Sequence, residues 1–140
     1  MTVEKQQYHF PSDLYYESRA RLWVLVEEDM ATIGLTELAL EIFGDIVYIS
    51  TIESGKLVDR GQVIGSVEAA KMVDELVAPI GGEIMAFNEE IQCNPALINA
   101  NPYGSWLMKV KPSAWERDAE ILLRGPEMET WIKEHPGGLE

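Results

Sequence analysis

Between Leu22 and Val110 the apolar residues fall in short dense runs separated by polar turns, a pattern that predicts mainly strands. Leu22 to Val26 reads as a buried strand, Glu27-Glu28-Asp29 as a solvated acidic turn, and Met30 to Gly34 as the returning strand of a hairpin. Thr36 is placed to N-cap a short helix, Glu37 to Phe43, with Glu37 in its first turn and Gly44 as its stop. Leu40 and Phe43, three apart, share a core-facing stripe of that helix. From Asp45 the pattern turns to β. Ile46 to Ile49, Val63 to Val67, Val73 to Ala78 (broken by Pro79), Glu83 to Phe87 and Trp106 to Val110 are predicted strands. Ser54-Gly55, Asp59-Arg60-Gly61 and Asn101-Pro102-Tyr103-Gly104 mark turns, and Asn94-Pro95 reads as a cap with an N1 proline before one helical turn, Ala96 to Ile98.

Gly44-Asp45-Ile46-Val47 echoes Gly82-Glu83-Ile84-Met85, and Gly61-x-Val63 echoes Gly104-x-Trp106. Two halves of similar plan predict a flattened β-barrel or sandwich with quasi-two-fold symmetry, its halves meeting near Lys71. Beyond Pro112 the pattern is helical. Ser113-Ala114-Trp115-Glu116 has the form of a capping box, Trp115, Ala119 and Leu122 make an apolar stripe, and Gly125-Pro126 reads as the stop. Glu127 to Glu134 is a last short helix packed through Met128, Trp131 and Ile132 and ended by Pro136-Gly137-Gly138. The expected plan is one domain over 1–140: an N-terminal strap (1–13), a β body (14–112) and C-terminal helices (113–140) packed on its outside.

Composition narrows the chemistry. With 24 acids against 11 bases the net charge is −13, which repels phosphate backbones and anionic lipid, so neither nucleic acid nor membrane is an expected partner. Acidic faces also favour fast, reversible docking onto basic rims. No apolar run is long enough to span a bilayer, and the polar start, Met1 to Gln7, leads us to expect a cytoplasmic protein. Cys93 is the single cysteine, and His9 and His135 lie near opposite ends of the sequence, so no metal site is expected.

One residue carries most of the functional argument. Lys71 lies between two strand-forming runs in Val67-Glu68-Ala69-Ala70-Lys71-Met72-Val73, with Gly61 ten positions before it and Gly82 eleven after. That places it at a hairpin tip held clear of the body, with small residues on its approach and Glu68, Asp74 and Glu75 as an acidic mark for a modifying enzyme. An amine so presented can be acylated into a neutral, tethered arm, and tethering raises the local concentration of whatever the arm bears. A lysine in a hairpin is most often simply solvated. The flanking strands, the spaced glycines and the small-residue tip together favour the carrier.

Several longer stretches resemble the H protein of the glycine cleavage system. They are Ala31-Thr32-Ile33-Gly34-Leu35-Thr36-Glu37, Phe43-Gly44-Asp45-Ile46-Val47-Tyr48, Val67-Glu68-Ala69-Ala70-Lys71 and Ala78-Pro79-Ile80-Gly81-Gly82-Glu83-Ile84. The most specific is Asn94-Pro95-x-Leu97-Ile98-Asn99-x-Asn101-Pro102-Tyr103-Gly104-x-Trp106-Leu107-x-Lys109-Val110-Lys111-Pro112. The resemblance implies a lipoyl-domain-like hybrid barrel with peripheral short helices and a helical C-terminus. It implies lipoate in amide linkage on Lys71 and a carrier with no catalytic residues of its own. The partners it implies are a lipoate ligase or transferase, glycine decarboxylase, aminomethyltransferase and dihydrolipoamide dehydrogenase.

Two departures keep the pathway open. The family commonly has His-Glu-Trp where this chain has Ala20-Arg21-Leu22-Trp23, and a histidine where it has Leu38. A related group of lipoate-binding proteins serves a heterodisulfide-reductase-like complex in sulfur oxidation, and resembles this chain in Phe10-Pro11-Ser12-Asp13-Leu14-Tyr15-Tyr16 and in Pro112-Ser113-Ala114-Trp115-Glu116. A biotin carrier would commonly have Met-Lys-Met, whereas Ala70 precedes Lys71 here; an unmodified relic would leave Lys71 bare. Leu38 in place of histidine suggests an apolar groove beside its helix in which the arm rests. Cys93 is expected to be packed at a loop edge, and Trp23, Trp106, Trp115 and Trp131 to be core or docking anchors.

Overall fold

The computed structural model describes residues 9–134 as ten strands in two sheets with five short helices around them. The strands are β1 (Tyr15–Tyr16), β2 (Leu22–Glu27), β3 (Met30–Leu35), β4 (Ile46–Thr51), β5 (Leu57–Val58), β6 (Val63–Ala69), β7 (Val73–Val77), β8 (Gly82–Phe87), β9 (Met108–Pro112) and β10 (Leu123–Arg124). The helices are α1 (Glu37–Phe43), α2 (Glu89–Cys93), α3 (Ala96–Ala100), α4 (Trp115–Ala119) and α5 (Gly125–Glu134), with one 3-10 turn at Pro102–Gly104. The larger sheet runs β10-β1-β2-β3-β9-β8-β5 and the smaller β4-β6-β7, every pair antiparallel. This is the mainly β barrel-sandwich that the runs predict. The sheets are unequal, however, seven strands against three, and β4 begins two residues after Gly44 whereas β8 begins on Gly82 itself.

One hydrophobic cluster joins the sheets. Ile49, Ile64, Val67 and Leu76 from the small sheet share it with Leu22, Ile33, Ile84 and Val110 from the large one, all 2% exposed or less. Local chemistry sets the pieces in place. Thr36 Oγ1 accepts from Ala39 N at the start of α1 and donates to the carbonyl of Ala20, so one hydroxyl both caps the helix and ties it to the loop before β2. Trp23 faces Gly34 across β2 and β3, where any Cβ would overlap the indole, and its Nε1 donates to Pro102 O. The specific Asn-Pro-Tyr-Gly turn therefore latches onto the core through its backbone.

Several expectations shift. The strand predicted at Trp106–Val110 begins two residues later, at Met108. The helix after Asn94 runs to Ala100, and its N-cap position is Pro95, with no side-chain cap. Ser113 caps nothing: α4 has Ala114 at its N-cap position and stops at Ala119, while Ser113 N donates to Gly81 O. Gly125-Pro126 starts a helix rather than ending one. Pro126 sits in the first turn, where its missing N–H costs nothing, and Glu127 accepts from Arg124 N in the manner of a capping box. The C-terminal segment also supplies a strand, β10, paired with β1 and fastened by the Arg124 guanidinium over the Tyr15 ring at 3.9 Å. Fully buried Asp118 clamps α4 to the body, accepting from Arg60 Nη1 at 3.0 Å and Gly81 N at 2.8 Å. The four tryptophans do anchor packing, Trp23 inside the core and the others against it. Residues 1–8 of the strap, His135 and the Pro136-Gly137-Gly138 stop lie outside the described residues. Among the described residues, no helix is long and apolar enough to cross a membrane.

Candidate functional site

The hairpin of β6 and β7 ends where Ala69 N donates to Met72 O, leaving Ala70, Lys71 and Met72 at an exposed tip. The last ladder pair before it is Glu68 with Val73. The tip is not held clear of the body, as expected from sequence, but strapped to the C-terminal end of α1. Ala70 N donates to Asp45 O and Lys71 N to Phe43 O, both at 2.9 Å, and Lys71 Nζ donates to Glu41 O at 2.9 Å.

Helix physics explains the strap. The last carbonyls of a helix lack intrahelical partners, and the negative end of the dipole favours a cation. The last turn of α1 contains no basic residue, and Lys71 supplies both a backbone donor and the charge from another element. Gly44 makes the close approach possible. Its φ of 82° and ψ of −172° lie where glycine alone is at ease, and a Cβ there would stand 3.0 Å from Lys71 Cγ and 3.3 Å from Lys71 N. Asn99 steadies the segment from the other side: its Oδ1 accepts from Ile46 N and its Nδ2 donates to Ile46 O, in place of a neighbouring strand on β4.

Around the amine the charge is negative. Glu41, Asp45, Glu68 and Glu75 are exposed and Asp74 half-buried, yet among the described residues Lys71 forms no ion pair. Its amine is an accessible, acylatable nitrogen on a fixed backbone. Glu68, three residues before it, is exposed. Leu38 does not fit the groove expected of it, because it is fully buried in the core and offers the arm no surface. An open cleft of about 200 Å³ exists instead beyond the far end of β7, lined by Glu17, Arg60, Val77, Pro79 and Leu122 among others.

Arg21, at one of the departures from the family pattern, is half-buried. Burial, then the neighbouring Arg19 charge, pull its pKa below the ordinary arginine value, while Glu17 and Asp74 oppose that shift. Cys93 is exposed at the end of α2 rather than packed at a loop edge. Tyr103 joins the N-terminal segment to α1: its hydroxyl donates to His9 O and accepts from Glu37 N, and burial raises its pKa well above the usual phenol value. Sequence reasoning singled out Lys71 and Glu68 as candidates but gave no role to Gly44 as a seat for the tip, nor to Asn99. Their signal was present in the Phe43-Gly44-Asp45-Ile46 and Leu97-Ile98-Asn99 stretches, without the geometry to interpret it.

Comparison with known proteins bears on the whole of this arrangement. The family model for the glycine cleavage H-protein matches residues 14–135. A probable glycine cleavage system H protein of Pyrococcus abyssi is 34% identical over 131 residues, covering 94% of this chain and 98% of that protein. The glycine cleavage system H protein of Bacteroides thetaiotaomicron is 39% identical over 115 residues, covering 81% and 90% respectively. The crystal structure of a glycine cleavage system H protein from Mycobacterium marinum has a TM-score of 0.80 at 31% identity, covering 89% of this chain and 99% of that one. A match that takes in the capped helix, the strapped hairpin and the Asn-Pro-Tyr-Gly segment alike means that this chain belongs to the glycine cleavage H-protein family.

Proposed function

We propose that this chain is a carrier rather than a catalyst, bearing lipoate in amide linkage on Lys71 and serving enzymes of the glycine cleavage type. The observation that carries the reading is the exposed Lys71 amine on a tip whose backbone is fixed by two hydrogen bonds, one to Phe43 O at the end of α1 and one to Asp45 O just beyond it. The residues fit the group. Among the described residues Nζ holds a backbone carbonyl and no carboxylate, so it can be released to attack an activated acyl carbon. The C–N bond forms as the bond to the activating group breaks, and the nitrogen gives up its protons down to a neutral amide N–H.

When bound, lipoate supplies a disulfide–dithiol pair that accepts and releases groups or electrons. The chain's own contribution is positional. Acylation removes the charge facing the α1 C-terminus, but the two backbone straps do not involve the amine, so the tip keeps its place. The acidic surroundings suit reversible docking on basic enzyme rims, and the partners we assign are a lipoate ligase or transferase followed by glycine decarboxylase, aminomethyltransferase and dihydrolipoamide dehydrogenase.

Lys71→Arg tests the attachment point: arginine keeps the charge but lacks an acylatable amine. With lipoate ligase, free lipoate and ATP, intact-mass measurement should show one lipoyl addition on the native chain and none on the variant. Addition to the variant would overturn the reading. A second reading, service to a heterodisulfide-reductase-like complex, is favoured by one observation: where the family commonly has histidines this chain has core Leu38 and the stretch Ala20-Arg21-Leu22-Trp23, buried but for half-buried Arg21. Lipoylated protein that is not reduced and loaded by glycine decarboxylase with glycine would select it.

A further inference from the structure

The small sheet carries an apolar patch beside the lysine that the fold does not use. Val47 is 60% exposed and Tyr48 47%, although they are consecutive residues of one strand. Alternation would turn one of them inward. A register shift between Ile46 and Tyr48 prevents this: Ile46 and Ile49 remain buried, and both intervening side chains face solvent. Bulges of this kind re-aim side chains and are over-represented next to functional sites. Asn99 grips Ile46 on both its N–H and its C=O, so the bulge is fixed in place.

Across the sheet, Tyr48, Glu68 and Val73 form one row of ladder partners, and Val73 is 69% exposed. Met72, 37% exposed, extends the patch to the tip itself. The result is two exposed apolar pairs next to Lys71, Val47 with Tyr48 and Met72 with Val73, standing on either side of Glu68 and flanked by Asp45 and Glu75, beside a tip whose backbone the straps hold in place.

We infer that this bulged face is the docking surface for the enzyme that acylates Lys71, which meets it with an apolar seat ringed by lysine and arginine. The inference rests on the carrier reading and adds the recognition element to it. The choice of occupant follows from reach. An acylating enzyme must bring its active site to Nζ, so its contacts must fall on the immediate surroundings of the tip. An enzyme served by the finished arm meets the distal ring, a full arm's length away. Charge supplies the complementarity, since apolar side chains set among carboxylates match an apolar seat with a basic rim; reach, not charge, separates the acylating enzyme from those served later.

The test uses the full chain with lipoate–protein ligase, free lipoate and ATP, following Lys71 acylation by mass. Val47→Ser combined with Tyr48→Ser should raise KM for the protein about tenfold and leave kcat within about twofold, as expected when uniform binding is removed. Leu57→Ser, on the large sheet, removes an even more exposed apolar residue (76%) and should change neither constant. Added salt should raise the native KM and raise it less once Glu68 and Glu75 are changed to Gln. Circular dichroism checks that the variants remain folded. An unchanged KM in the double variant overturns the proposal, as does normal acylation combined with impaired transfer to a downstream enzyme. A native chain that takes no lipoate at all would instead sink the carrier reading on which the proposal stands.

Discussion

Replacing Gly44 with alanine probes the link between backbone geometry and the lysine. At φ 82° and ψ −172° a side chain costs about 1–3 kcal/mol in strain before any neighbour is considered. The new Cβ also falls 3.2 Å from Ala70 Cβ and 3.3 Å from Lys71 N. The flexible Lys71 Cγ can move away, but the backbone nitrogen can do so only by lengthening its bond to Phe43 O. With a urea m-value of about 1–3 kcal/mol/M, the strain alone lowers the unfolding midpoint by about 1 M. Losing both backbone straps, each worth about 1 kcal/mol net, amounts to a roughly thirtyfold fall in lipoylation rate at subsaturating ligase. The control is Gly55→Ala. Gly55 also has a positive φ, 92°, but nothing lies within 4 Å of its Cβ position, so this variant should lose about 1 kcal/mol and be lipoylated normally. Urea titrations and a mass-based acylation assay, both on folded protein at 25 °C, measure the two effects separately. If Gly44→Ala is acylated as fast as the native chain, the claim that α1 seats the tip is wrong.

Other outcomes follow from the clamp and the buried phenol. Asp118→Asn should cost about 1–2 kcal/mol in urea unfolding, because the amide cannot accept from Arg60 and Gly81 N at once; the partial exposure of Arg60, and of Arg117, which also pairs with Asp118 at 3.2 Å, keeps the loss modest. An unchanged midpoint would mean that α4 is held by packing alone. Tyr16 is fully buried and donates to Pro11 O; burial chiefly, then the Tyr103 and Asp13 charges, raise its pKa, against an opposing Arg124. The folded chain therefore keeps this proton at pH values where the unfolded chain, titrating near 10, has lost it. Stability should be full below pH 10 and fall as pH rises above it, and urea midpoints at pH 8 and pH 11 check the slope. Tyr16→Phe should make that alkaline decline shallower.

Much of the strand order was legible because each run of Val, Ile, Leu and Trp is bounded by glycine, proline or acidic residues, and turn chemistry is local. The α1 helix was readable to its bounds, since Thr36, Glu37 and Gly44 each act within one turn of it. The two-residue strands β1, β5 and β10 carry no periodicity to detect, and only their partners define them. Gly125-Pro126 was misread for a related reason. The pair forbids continuation of a helix before it but not initiation of one after it, and Glu127, accepting from Arg124 N, caps the helix that begins there. Leu38 gave the plainest correction, because a leucine replacing a polar residue can mark a groove or a core and only burial distinguishes them.

By itself, then, the chain determined a mainly β body, a capped helix and a lysine between two strands, all of them consequences of neighbours within a few residues. Tertiary structure alone decided that the lysine rests on the end of α1, that Gly44 makes room for it, and that a bulge turns Val47 and Tyr48 outward beside it. Those three facts join residues about 20–30 positions apart. They depend on unpaired helix carbonyls and strand edges finding donors from distant segments, which local sequence preference does not encode.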